Sequence, residues 1–138
     1  MNRPATILLI EDDPGLATSL RRVLEEEGYQ VIPVSRGDEG VKIAAAEPCD
    51  PVLTDLKLPD SSGLDLVKRL RAAKAQMPII LMTAHGTTEI AIEATRQGAY
   101  DYLLKPFEMP ALLETVEKAL ASSRLTAHSV GLGSVRCV

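Results

Sequence analysis

Five short apolar runs, at residues 5–10, 29–34, 51–54, 78–82 and 101–104, alternate with five longer segments whose apolar residues recur at helical spacing. Such alternation leaves few folds open, because each helix returns the chain to begin the next strand in the same direction, which builds a parallel sheet. The runs are continuously apolar rather than alternating, as in Ile7-Leu8-Leu9-Ile10. That pattern requires both faces of the sheet to be covered. The expected class is therefore α/β, a doubly wound five-stranded parallel sheet with helices on both faces. The second run carries Pro33, which is better tolerated at a sheet edge than in its centre, so this strand is placed outermost.

The punctuation between runs agrees. Asp13-Pro14-Gly15 offers a cap and a first-turn proline for a helix carrying Leu16, Leu20, Val23 and Leu24, and Gly28 ends it. Ser35-x-x-Asp38 reads as a capping box for a second helix with Val41, Ile43, Ala44 and Ala45, stopped by Pro48. The third helix points Leu64, Val67 and Leu70 inward and Lys68, Arg69, Arg71 and Lys74 outward. The fourth starts at Thr87 or Thr88, and its apolar positions are Ile90, Ala91 and Ala94. With so few large apolar groups it is the element expected to move. The last helix spans residues 108–121, with Leu112, Leu113, Val116 and Leu120 on one face. Beyond Ser122-Ser123 the pattern is lost, which divides the chain into an ordered domain, residues 1–124, and a flexible tail or linker, residues 125–138.

At 138 residues, 46% of them hydrophobic, the chain suits one domain with one core. A net charge of -4 without a Lys/Arg block argues against direct nucleic-acid binding by this segment. Cys49 and Cys137 are far apart and form no Cys-x-x-Cys pair, so neither a disulfide framework nor a zinc site is expected. The apolar runs fall well short of the roughly 18 residues a membrane-spanning helix needs, and Met1-Asn2-Arg3-Pro4 does not resemble a secretion signal. No membrane association and a cytoplasmic location are the expectations.

Chemistry-bearing residues fall at the downstream ends of four runs: Glu11-Asp12-Asp13, Asp55, Thr83 and Lys105. In a parallel sheet those ends share one edge, where ligands of open α/β sheets gather. Taken singly, an acidic run before a helix is most often a cap, and an aspartate after a strand a turn residue. Their joint position is what carries information. Clustered carboxylates repel one another, and a bound cation removes that penalty. Magnesium suits them, since it prefers oxygen ligands and keeps several waters. Asp12 and Asp55 are assigned direct ligation, Glu11 acts through water, and the backbone carbonyl of Lys57 completes the protein's share. Asp55 can attack phosphorus once the incoming charge is neutralised by the cation and the Lys105 ammonium, while Thr83 donates its hydroxyl to a phosphoryl oxygen.

Four stretches now carry a resemblance: Ile10-Glu11-Asp12-Asp13; Leu53-Thr54-Asp55-Leu56-Lys57-Leu58-Pro59 with Gly63; Met82-Thr83-Ala84; and Gly98-Ala99-Tyr100-Asp101-Tyr102-Leu103-Leu104-Lys105-Pro106-Phe107. The chain resembles a receiver domain of the bacterial two-component response regulators over about residues 6–120, most like those of sigma-54-dependent transcriptional activators. The resemblance implies the flavodoxin-like receiver fold with strand order 2-1-3-4-5. It places the phosphoacceptor at Asp55, the acidic pair at Glu11 and Asp12 with Asp13 as a flanking residue, the switch hydroxyl at Thr83 and the phosphoryl-binding lysine at Lys105. It also implies a switch aromatic at Tyr102 and a cis bond before Pro106 that orients the lysine. Leu58 stands where the family usually has methionine. The implied function is acceptance of a phosphoryl group from a sensor histidine kinase with Mg2+. The face of the fourth helix, fifth strand and fifth helix then switches to control output, transcription regulation in that subclass, with a homodimer through that face as a further expectation. A stand-alone phosphorelay receiver without DNA output is the alternative.

Two other classes share parts of this constellation. A haloacid-dehalogenase-like phosphohydrolase also uses an aspartate nucleophile, magnesium, threonine and lysine, but needs an acid two residues after the nucleophile, where this chain has Lys57. A nucleotide- or flavin-binding domain would cradle phosphate on a glycine-rich first turn, where Glu11-Asp12-Asp13 stands instead. His85 is read as a surface loop residue rather than a ligand.

Overall fold

Thr6–Ile10 (β1), Gln30–Val34 (β2), Val52–Asp55 (β3), Ile79–Thr83 (β4) and Asp101–Leu104 (β5) form one sheet in the computed structural model, which describes residues 5–47, 50–74, 76–84 and 88–132. The spatial order is β2-β1-β3-β4-β5 with every pairing parallel, the expected 2-1-3-4-5. Between the strands run Pro14–Glu26 (α1), Gly37–Ala46 (α2), Gly63–Ala73 (α3) and Thr88–Arg96 (α4), and Met109–Leu132 (α5) follows β5. A small antiparallel hairpin, Lys57–Leu58 with Ser61–Ser62, stands outside the sheet where a plain loop was expected.

The continuous apolar runs have a direct cause. Leu8, Ile10, Val52, Ile79 and Leu81 face one cluster with Leu66, Val67, Leu70, Ala91 and Ala94. Their neighbours Ile7, Leu9, Leu53, Ile80 and Met82 face a second cluster with Leu20, Leu24, Leu112 and Val116. Successive strand side chains point to opposite faces, so a sheet buried on both sides must be apolar at every position. β2 lies at one edge of the sheet, and Pro33 pairs with Leu9 there.

Several helix details differ from expectation. α1 is as read, with Asp13 Oδ1 accepting from the Gly15 and Leu16 N–H groups at 3.0 and 3.3 Å and Gly28 at φ +96° just past its end. α2 is not capped by a Ser35 box. Its N-cap is Arg36, whose side chain makes no capping bond, and Asp60 from a distant loop accepts from Gly37 and Asp38 instead. Ser35 falls one residue too early to serve. In α3, Leu66 is buried beside Val67 and Leu70, and Leu64 is only partly buried. Arg71, read as outward, is half-buried and donates to the Gly98 carbonyl at 2.6 Å. α4 buries only Ala91 and Ala94 while Ile90 and Ile92 are exposed. It is thinly packed as expected, but Ile90 does not face inward. α5 continues to Leu132 rather than ending near residue 121. Ser122-Ser123 is a weak breaker, and no proline or glycine stands between it and Gly131. Pro48, Cys49, Cys137, His85, Thr87 and the first four residues lie outside the described residues.

Gly63, the first residue of α3, has no room for a side chain. A Cβ there would overlap Leu56 Cδ1 and lie 2.8 Å from Leu56 Cγ and 2.9 Å from its carbonyl oxygen. Because the backbone oxygen cannot swing away as a side chain could, Gly63→Ala is expected to destabilise the domain by about 1–3 kcal/mol, read as a lower urea midpoint.

Candidate functional site

Parallel strands bring all their carboxyl ends to one edge, and register sets the level of each residue there. Ile10 pairs with Thr54, Asp55 with Met82, and Thr83 with Leu104. Glu11 and Asp55 are therefore level on neighbouring strands, Thr83 follows one position further along, and Lys105 two. One carboxylate oxygen from each of Glu11, Asp12 and Asp55 lies within 4.8 Å of the other two. Lys105 reaches across them from the far strand: its Nζ donates to Asp55 Oδ2 at 2.8 Å and to Glu11 Oε1 at 3.2 Å. The peptide bond from Lys105 to Pro106 is cis.

Neighbouring backbone fixes the remaining oxygens. Glu11 Oε2 accepts from the Asp13 N–H at 3.1 Å, and Asp55 Oδ1 accepts from the Lys57 N–H at 3.1 Å. Asp13 spends its own carboxylate on the start of α1, which places it outside the acidic cluster. Thr83 is fully buried, its hydroxyl 3.4 Å from the Ala84 carbonyl oxygen, and its carbonyl accepts the Lys105 N–H at 2.6 Å. Tyr102 is half-buried against the cluster that includes Ala91 and Ala94 of α4.

The electrostatics follow from burial. Glu11 is 3% exposed, and burial raises its carboxyl above the usual range; the Asp13 N–H opposes this, the Asp55 charge adds to it, and Lys105 offsets part. For Lys105, burial alone would lower the ammonium. The hydrogen bond and charge of Asp55, joined by those of Glu11, outweigh burial, so the net shift is upward. Three acids and one amine leave a site of net negative charge with an oxygen-only donor set, closed at Glu11 and open to solvent at Asp12. This arrangement can hold a hard divalent cation and present one carboxylate beside a fixed ammonium.

Asp60 was missed in the sequence. An aspartate after a proline reads as a turn residue; the available signal was the absence of a good cap on α2, whose N-cap is an arginine.

The family model of the response regulator receiver domain matches residues 7–117. The chain is 37% identical over 122 residues to the transcriptional regulatory protein GlrR of Escherichia coli, covering 88% of this chain and 28% of that protein. It is 38% identical over 120 residues to the DNA-binding transcriptional regulator NtrC of Rhizobium meliloti, covering 87% and 25%. The chain thus spans about a quarter of the length of these relatives. Among solved structures, a response regulator receiver domain protein from Clostridium thermocellum superposes with a TM-score of 0.84 at 31% identity, over 88% of this chain and 98% of that one.

Proposed function

The chain belongs to the response regulator receiver domain family, most similar to those of transcriptional regulators, and from that premise we propose that Asp55 is its phosphoacceptor, charged by a sensor histidine kinase. The observation that carries this reading is Lys105 Nζ bridging Asp55 and Glu11 inside the acidic cluster. The donor set fits magnesium: oxygen atoms only, close together, and partly open to water. Asp12, Asp55 and the Lys57 carbonyl would hold the ion, with Glu11 acting through water. When bound, it neutralises charge on the incoming phosphoryl group. An Asp55 oxygen forms the new bond to phosphorus while the donor's bond breaks and its electron pair stays with the donor. Lys105 holds a phosphoryl oxygen, and Thr83 donates its hydroxyl to another.

Switching then needs two conformations that the phosphoryl group distinguishes, since a ligand binding both equally shifts nothing. Thr83 and Tyr102 are proposed as the switch pair and the α4-β5-α5 face as the output surface. Support comes from the thin packing of α4 and from the exposure of Ile90, Ile92, Tyr100 and Leu104, large apolar side chains on or beside α4 and β5 that a second copy or an output partner could cover. Transcription regulation of the sigma-54-dependent kind is the output proposed; a stand-alone relay is the other reading. In the proposed division residues 1–124 form the receiver and 125–138 a linker, although α5 runs across that boundary. Among the described residues no helix is long and apolar enough to cross a membrane, which accords with a cytoplasmic location.

The test is incubation with a small phosphodonor followed by intact mass measurement. One phosphoryl group is expected with magnesium and none after chelation; equal labelling without any divalent ion would overturn the site. Thr83→Ala is expected to keep incorporation within about tenfold while losing the response, seen as Tyr102 ring resonances that no longer shift on phosphorylation.

A further inference from the structure

Asp60 joins two parts of the molecule that no strand pairing connects. Its two carboxylate oxygens accept the first two N–H groups of α2, Gly37 on Oδ1 and Asp38 on Oδ2, each at 2.9 Å. The Arg36 guanidinium lies 3.9 Å from Oδ2, and the Asp60 side chain is only 9% exposed. These N–H groups, with a lesser contribution from Arg36, hold its carboxyl below the usual range. The other end of the connection is the hairpin in which Lys57 pairs with Ser62 and Leu58 with Ser61. Two-residue strands are marginal on their own, so this hairpin needs outside anchors. Ser62 supplies one by capping α3 through the Asp65 N–H, and Asp60 supplies the other. Lys57, on the near leg, donates its N–H to Asp55 Oδ1.

We propose that Asp60 is a positioning residue: by clamping the hairpin of residues 57–62 to the N-terminus of α2, it holds the Lys57 backbone against Asp55 and thereby sets the affinity of the acidic cluster for its divalent cation. The proposal rests on the reading that Asp12, Asp55 and the Lys57 carbonyl bind magnesium. A carboxylate serves here because it offers two acceptors to two adjacent donors and complements the positive end of the helix. If Asp60 only capped α2, its loss would lower stability and leave cation binding unchanged.

Magnesium titration by calorimetry, with no phosphodonor present, separates these roles. Asp60→Ala is expected to weaken magnesium binding by about three- to tenfold, below the roughly ten- to hundredfold of a residue bonded directly to a ligand because Asp60 acts through the hairpin backbone. Phosphoryl incorporation should be slower at limiting magnesium and recover at saturating magnesium. Arg69→Ala is the control, because it removes the 3.0 Å pair with Asp38 on α2 without touching the hairpin; its magnesium affinity should match wild type. Should Asp60→Ala not fold, Asp60→Asn keeps one acceptor and is expected to shift affinity in the same direction by less. Unchanged affinity in the folded variant, or a rate deficit that saturating magnesium does not repair, would overturn the clamp alone. A wild-type chain that binds no magnesium would overturn the site reading and the clamp together.

Discussion

Asp55→Asn is expected to leave the domain folded and to reduce phosphoryl incorporation from a small phosphodonor by at least about a thousandfold, a barrier increase of about 4 kcal/mol. The amide cannot replace the attacking carboxylate oxygen. It also fails to fit the partners of Asp55, which are both donors: the Lys57 N–H on Oδ1 and Lys105 Nζ on Oδ2. Whichever way the amide turns, its NH2 faces one of them. Stability should change little, because the lost ion pair is offset by relief of the repulsion that Asp55 exerts on buried Glu11. The decisive measurements are intact mass after incubation with magnesium and the thermal midpoint of the same sample. A stably folded variant labelled as fast as wild type would remove Asp55 from the mechanism, and mapping the label would name its replacement.

The parts of this molecule that were readable in the chain are those where one strand carries the whole signal. Ile7 to Ile10 reads as a doubly covered strand because each of its side chains meets a helix on one face or the other. Pro33 could be placed at an edge because a missing donor matters only where a second neighbour would need it. Glu11, Asp12, Asp55 and Lys105 come together because parallel strands end at one edge. What stayed hidden depends on segments meeting across the chain. Asp60 caps a helix that begins 23 residues before it, and nothing local marks that meeting. Lys105 was expected near a phosphoryl group, yet its bond to Glu11 requires the far strand to reach the first. Ile90 is exposed while Ala91 and Ala94 are fully buried, a choice of helix face that apolar spacing alone does not contain.

Replacing Lys105 by methionine tests the electrostatic balance of the site from the opposite side. The ammonium occupies oxygens of Asp55 and Glu11, both of which the proposed cation uses, so lysine and magnesium compete in the resting domain. Lys105→Met is therefore expected to bind magnesium more tightly, by about 1–2 kcal/mol or roughly five- to thirtyfold, while incorporating phosphoryl more slowly for want of a charge on the incoming group. Without magnesium the variant should be less stable at pH 7 by about 1–3 kcal/mol, below the cost of breaking a fully buried pair because this one is partly open to water. The pH dependence has a definite sign. Burial raises Glu11, and it loses two lowering contributions with Lys105, so the part of the deficit owed to Glu11 should shrink as pH falls and Glu11 takes up a proton, and grow as pH rises toward neutrality. At the alkaline end wild type holds a lysine whose pKa is raised in the fold. Its contribution is complete below the unfolded value of about 10.4 and is lost as pH climbs through the higher folded value; the variant has no such arm. At one saturating magnesium concentration both proteins gain stability and the tighter binder gains more, so the gap should narrow by about 1–2 kcal/mol, the difference between the two binding free energies. Weaker magnesium binding in Lys105→Met would mean that the lysine helps to assemble the cation site rather than competing for it.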